Sequence, residues 1–469
     1  MLTIRIQTHF TITLLYGRNR NVQILKVVKK ILIFITLFVL LFFGEIAMTF
    51  SDKGYPSLLN DEEVPFSLLL DNHYSDFEGT ENIDNEINAF IKRWKIEGAS
   101  LAVTKDEQLV YAKGFGIANK ETGEEVKPGH LFRIASVSKL ITAVAVMKLY
   151  EDGKLDLDDP VFGENGILND SIFMNYLDPR VEEIKVRHLL NHTAGWSRYA
   201  GDPIFNPLYI ARKMNVPAPA SFNQILEYTL QRKLNFQPGT RYSYSNMGYA
   251  ILGEIIERKS GMPYQDYVVM NLLKPLGIHD MHIGKSYYHE KYPNEVRYHS
   301  NAGVNTTRSM DGSGEQVPVY YGGNNIELLG PAGGWVASAP ELARFMTAID
   351  GFGGQPDILA PETIASMSDP NVAGTGLFGW RGSDRYGTWW RTGYLSGSSA
   401  LIVRQSDGIN WVVMTNTSTY KESRIHRYVS AMMFGSINRV QEWPQIDLFF
   451  LEEDSPGPIA DIPATNPKL

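Results

Sequence analysis

Residues 132–150 read FRIASVSKLITAVAVMKLY, and from Leu140 to Tyr150 only Thr142 and Lys148 are polar. A helix that is apolar on nearly every side has no wet face, so other elements must enclose it almost completely. Working outward, residues 82–96 predict a helix, followed by two strand-like runs, Ala99–Thr104 and Leu109–Gly114, around a polar Lys105-Asp106-Glu107-Gln108 turn. Two similar runs lie far downstream, Ala400–Arg404 and Asn410–Asn416, followed by a predicted helix over 422–434. The simplest assembly pairs the early and late hairpins in one antiparallel sheet covered by the terminal helices. The chain between them carries mostly helix and loop signals. The expected class is therefore α+β with a large, mainly helical insertion lobe, and the cleft between the lobes is where a site belongs.

Composition sets the outer limits. The 469 residues are 43% hydrophobic and 20% charged, the profile of a chain with a substantial core. Net charge is −8, and every residue before Glu45 that carries charge is basic, so the remainder is more acidic still. Such a body is a poor match for phosphate backbones, and no nucleic-acid partner is expected. With no cysteine, disulfides, thiolate metal sites and a cysteine nucleophile are ruled out.

Ile31–Phe43 is an unbroken apolar run directly after Lys29 and Lys30, the layout of an export signal. Cleavage near Ala47-Met48-Thr49 and retention of residues 31–50 as a transmembrane anchor both remain open. Either places the body outside the cytoplasm, periplasmic or otherwise extracytoplasmic. The expected organisation is a signal peptide or membrane anchor at 1–50, a linker at 51–80, the catalytic body at 81–440 and a tail at 441–469.

Three strips carry chemistry. Ser136 sits where the buried helix begins, a place that capping alone would also explain. Lys139, one turn on along the same face, goes beyond capping: desolvation there lowers an ammonium pKa toward a neutral amine able to take the hydroxyl proton. In Pro238–Asn246, Tyr244 and Asn246 point the same way if the strip is extended, although a packed Tyr and a capping Asn would give the same residues. In Trp389–Tyr394, Arg391 offers a fork suited to a carboxylate, Thr392 a hydroxyl, Gly393 close backbone approach and the Tyr394 amide a donor to an oxyanion.

In this order the strips resemble the penicillin-recognising serine hydrolases: class C β-lactamases, DD-peptidases and their esterase and D-aminopeptidase relatives. Val186–Gly195, Lys274–Ile278 and Pro331–Phe345 support the likeness, which spans roughly residues 85–436. It implies a β-lactamase/transpeptidase-like sheet flanked by helices, an α/β/α sandwich. It also implies that Ser136 is acylated, that Lys139 and Tyr244 share the proton work, and that Asn246 positions Lys and substrate amide. The Ser136 and Tyr394 amides would then form the oxyanion hole. The third motif usually opens with Lys or His, whereas this chain has Arg391, which cannot relay protons at neutral pH. That departure argues against efficient β-lactamase turnover and for a D-amino-acid peptidase acting on a small-molecule or peptide substrate with a carboxylate.

No cofactor and no metal are expected. The rival metal hydrolase rests on His188 and His192 at i, i+4 spacing, which lacks a following Glu and a clear third ligand. An α/β-hydrolase lacks its Gly-x-Ser-x-Gly. A rival of another class is a non-catalytic sensor that captures cell-wall peptides, kept alive by Arg391.

Overall fold

Both hairpins form, and they pair with each other. The computed structural model describes residues 64–301, 303, 305–373 and 376–451. Among these the main sheet has seven strands: β1 (Gly98–Lys105), β2 (Gln108–Asn119), β3 (Glu124–Glu125), β4 (Gly382–Ser383), β5 (Trp389–Leu395), β6 (Ser398–Arg404) and β7 (Ile409–Thr415). Their spatial order is β4-β5-β6-β7-β1-β2-β3. The early hairpin joins the late one through the antiparallel β1/β7 pair, with Ala99 opposite Thr415 and Val103 opposite Trp411. Every residue of β6 and β7 is buried, as expected of strands covered on both faces.

Five longer helices cover the sheet or pack against that cover: α1 (Glu81–Trp94), α2 (Ser138–Glu151), α3 (Asn246–Ser260), α4 (Ala339–Thr347) and α5 (Ile425–Ile437). On one face α1 buries Ile83, Ile87, Phe90 and Trp94, and α5 buries Val429 and Met433, against Leu101, Val103, Trp411 and Val413. The alternate strand residues Ala102, Val412 and Met414 point to the opposite face, into the core that contains α2, α3 and α4. The α2 side chains are buried from Ser138 to Met147, so the enclosed helix expected from residues 132–150 is present. Further helices at Val186–Leu190, Pro207–Met214 and Phe222–Leu230 contribute to the helical lobe.

At α4 the Ser338 hydroxyl accepts the Glu341 N–H, the first half of a capping box. The Glu341 carboxylate does not return the bond; its Oε1 accepts from the His279 and Asp280 N–H groups of another segment.

The body begins earlier than Glu81. Asn72 exchanges two hydrogen bonds with the Gly114 backbone, Ser75 does the same with Ala112, and Lys113 pairs with Asp76 and Asp84. Residues 64–80, expected as linker, are thus fastened to β2. Residues 441–451, expected as tail, are also packed. Phe449 meets Phe66 edge-on at 5.6 Å, and the Arg344 guanidinium lies over both rings. Apolar Phe66, Leu448 and Phe449 supply the burial that a Pro- and acid-rich reading of those stretches passes over.

The transmembrane expectation is corrected for the described body: none of its helices is long and apolar enough to cross a membrane. Residues 1–50, on which the signal and anchor readings rest, lie outside the described residues, as do 452–469.

Candidate active site

Ser136 lies in a 3-10 turn, Ala135–Val137, that runs directly into α2. Ala135 holds φ 49°, a left-handed conformation that costs a non-glycine residue free energy and fixes how the serine is presented. The turn is pinned from β5. Arg391 is almost wholly buried and donates from Nε to the Ser136 carbonyl at 2.8 Å. Beside it, a Cβ built on Gly393 would come within 2.1 Å of the Ile134 carbonyl oxygen and 3.2 Å of the Ser136 nitrogen. The close approach that Gly393 permits is therefore to the protein's own serine turn.

The motif residues from three distant segments converge. The Ser136 and Tyr244 hydroxyls are 2.7 Å apart, and Lys139 Nζ is 3.3 Å from Ser136 Oγ. Lys139 also donates to Asn246 Oδ1 at 2.7 Å and to the Ala332 carbonyl. Those two acceptors match the two N–H groups of a neutral amine, which leaves the lone pair available to the Ser136 hydroxyl. The Ala332 carbonyl comes from the glycine-rich turn Gly330–Gly334, which packs close to α3; a Cβ on Gly253 of α3 would lie 2.2 Å from Pro331 Cγ.

Electrostatics favour proton exchange. Burial lowers the Lys139 pKa to about 8, with Arg391 adding to the drop and Tyr244 and Asp202 opposing it. Burial alone would raise the Tyr244 phenol, but the charges of Lys139 and Arg391 outweigh it and bring the pKa below its ordinary value. The two groups are thereby drawn toward each other on the pH scale.

Asn246 is the first residue of α3, and the cap is its neighbour Ser245, whose hydroxyl accepts the Gly248 N–H at 3.1 Å. That leaves the Asn246 side chain for Lys139. Its other partner, missed in the sequence, is Asp202, which accepts from the Asn246 amide and backbone N–H.

His188 and His192 do not form a shared helical face. The helix ends at Leu190, and His192 adopts φ 61°. The His192 ring packs 4.5 Å from that of Tyr244, and its Nδ1 accepts the Ser245 N–H. Burial, then Arg391 and Lys139, keep its pKa well below the usual histidine value, so it supports the phenol as a neutral ring.

These groups open into a cavity of about 370 Å³ lined by Ser136, Asp202, Tyr244, Arg391, Thr392 and Tyr394, among others. The Trp390 carbonyl accepts the Arg381 N–H on the side of β5 away from β6, so by alternation Thr392 and Tyr394 turn their backbone groups the same way. Arg381 also borders two adjoining cavities, one of which it shares with Arg424 and Arg427. None of these three arginines forms an ion pair among the described residues. Arg391 differs from the expected carboxylate fork, because its Nε is already committed to the serine turn.

The Esterase EstB of Burkholderia gladioli is 26% identical over 333 residues, covering 67% of this chain and 78% of the relative. An octameric penicillin-binding protein homologue from Pyrococcus abyssi superposes with TM-score 0.57 at 26% identity, over 78% of this chain and 79% of that one. The D-amino acid amidase of Ochrobactrum anthropi SV3 shares the fold, with TM-score 0.59 at 22% identity over 78% of this chain and all of the amidase. A family model described as Beta-lactamase matches residues 83–431, which contain the serine turn, the tyrosine strip and β5. The chain belongs to the beta-lactamase family of serine-hydrolase-related proteins.

Proposed function

We propose that the protein is an exported serine hydrolase that cleaves an amide or ester through a Ser136 acyl-enzyme. The observation that carries this reading is the meeting of Ser136 Oγ, Tyr244 OH and Lys139 Nζ, with the two hydroxyl residues on the wall of one cavity and the amine buried behind them. Ser136 Oγ attacks the carbonyl carbon while its proton passes to the Lys139/Tyr244 pair. The Ser136 and Tyr394 N–H groups receive the oxyanion, and the pair returns the proton to the leaving group as the intermediate collapses. Water then repeats the sequence on the acyl-enzyme and releases the acid.

For substrate we favour a D-amino-acid peptide bearing a carboxylate. Arg381, exposed at the junction of three cavities and without an ion pair among the described residues, supports that choice. A carboxylesterase is the second reading. It is favoured by the engagement of Arg391 with the serine turn and by the likeness to an esterase.

The test is labelling by a fluorophosphonate together with turnover of a D-alanyl peptide, a penicillin and a p-nitrophenyl ester, with and without EDTA. Wild type should label and turn over at least one of the three, Ser136→Ala should do neither, and chelation should leave the rates intact. An inert wild type would favour the peptide-binding sensor, and loss on chelation with rescue by zinc would favour a metal hydrolase.

A further inference from the structure

Asp202 lies outside the three motifs, in residues 197–235, between the helix Val186–Leu190 and the tyrosine strip. Its carboxylate is nevertheless built into the site. Oδ2 accepts the Asn246 backbone N–H at 2.6 Å and the Asn246 Nδ2 at 3.2 Å. A carboxylate can only accept, so the Asn246 amide must turn its NH2 toward Asp202 and its oxygen toward Lys139 Nζ, 2.7 Å away. The second carboxylate oxygen, Oδ1, is buried and makes no hydrogen bond of good geometry, although the Ile204 N–H of the same turn helps stabilise the charge, so it is Oδ2 that ties the loop to Asn246. From this geometry we infer that Asp202 is a positioning residue: it locks the Asn246 amide, and through it the Lys139 amine, in the orientation that aims the lone pair at Ser136. The inference rests on the serine-hydrolase reading above.

A chain of this kind has an electrostatic signature. The charged or titratable groups facing Lys139 are Tyr244, Arg391, Asp202, His192 and Tyr249. Among them Asp202 is the only carboxylate, and its charge helps hold the amine's proton. Removing that charge lets the Lys139 pKa fall below about 8. An Asn246 amide released to turn its NH2 toward Lys139 would act in the same direction.

The experiment compares full-length wild type, Asp202→Asn, Asp202→Ser and Asp202→Glu on p-nitrophenyl butyrate across pH, with thermal melts to confirm folding. Either neutral variant should lower kcat about 10- to 100-fold with little change in KM, because a charge-assisted contact is lost away from the bound ester. The acid limb of kcat/KM should move to lower pH in both, and Asp202→Glu should bring it back toward wild type. A raised KM with the limb unmoved would make Asp202 a substrate contact and overturn the inference. A fall in kcat with the limb unmoved would make its role purely structural and overturn it too. A wild type that neither labels with fluorophosphonate nor turns over the ester defeats the underlying reading, and the positioning role with it.

Discussion

At the scale of single residues, the structure changes what Arg391 is expected to do. A guanidinium offered to solvent would grip a substrate carboxylate; one that donates to the Ser136 carbonyl would, on the serine-hydrolase reading, organise the nucleophile for any substrate. Arg391→Ala should therefore lower kcat/KM on a neutral ester and on a carboxylate-bearing D-peptide alike. Arg381→Ala should lower only the peptide, by about 10- to 100-fold for one charge-assisted contact. Paired rate measurements decide between them, and a selective loss at Arg391 would return the fork to the substrate. Ser136, Lys139, Tyr244 and Asn246 could be read from the sequence because each contributes a side chain at recognisable spacing. Ala332 could not, since it contributes a backbone carbonyl that carries no side-chain signature. Nor could Asp202, whose acceptor role depends on a loop returning to the start of α3.

Elements explain why those residues arrive where they do. Ser245 caps α3, and the next residue is the Asn246 that holds Lys139, so the helix start and the site share one turn. Ser245→Ala should destabilise the protein by about 1 kcal/mol, the ordinary value of a lost cap, and should lower activity as well. Thermal melts and ester turnover measured together check this; a destabilised variant with full activity would separate the cap from the site. The elements were legible where one period dominated. The expected α1 and α5 both form, each with its bounds shifted by no more than a few residues, because their apolar faces are long. Element ends were harder, as α4 illustrates: Ser338 caps as its spacing suggests, but Glu341 is diverted to the 279–280 turn. Such a partner is set by tertiary packing and leaves no local trace.

Across the whole molecule, buried carboxyls set a pH trend in stability. Burial first, then Asp280, raises Glu341 to about 8, and burial raises Asp350 to about 7 despite a hydrogen bond from Asn410. Unfolded carboxyls ionise near pH 4, so the folded chain retains protons that the unfolded chain has already released. The stabilisation this gives is complete at low pH and is lost as pH rises through the folded values. The buried histidines and Lys139, all lowered by burial, act with the opposite sign over the same interval, because the unfolded chain keeps protons there that the folded chain has lost; the carboxyl contribution is therefore read against a variant that lacks it. The melting temperature of wild type should fall relative to that of Glu341→Gln, which keeps an oxygen for the His279 and Asp280 N–H groups, as pH rises from 6.5 to 8. A difference between the two that stays constant over that interval would show that Glu341 does not carry the trend. The lobes and sheet were legible from the paired hairpins; the true ends of the body were not. Burial of Phe66 and Phe449 around Arg344 depends on contacts between segments far apart in the chain.

The bond between Asp202 and Asn246 also bears on how the protein could be redesigned. On the proposed reading, the segment one would exchange to alter selectivity carries an anchor for the proton machinery, and recognition and turnover would not be separate modules. A graft that replaces residues 197–235 wholesale would discard that anchor along with the old preference. One that keeps an acidic side chain at position 202 could vary the rest of the segment without disturbing the amine.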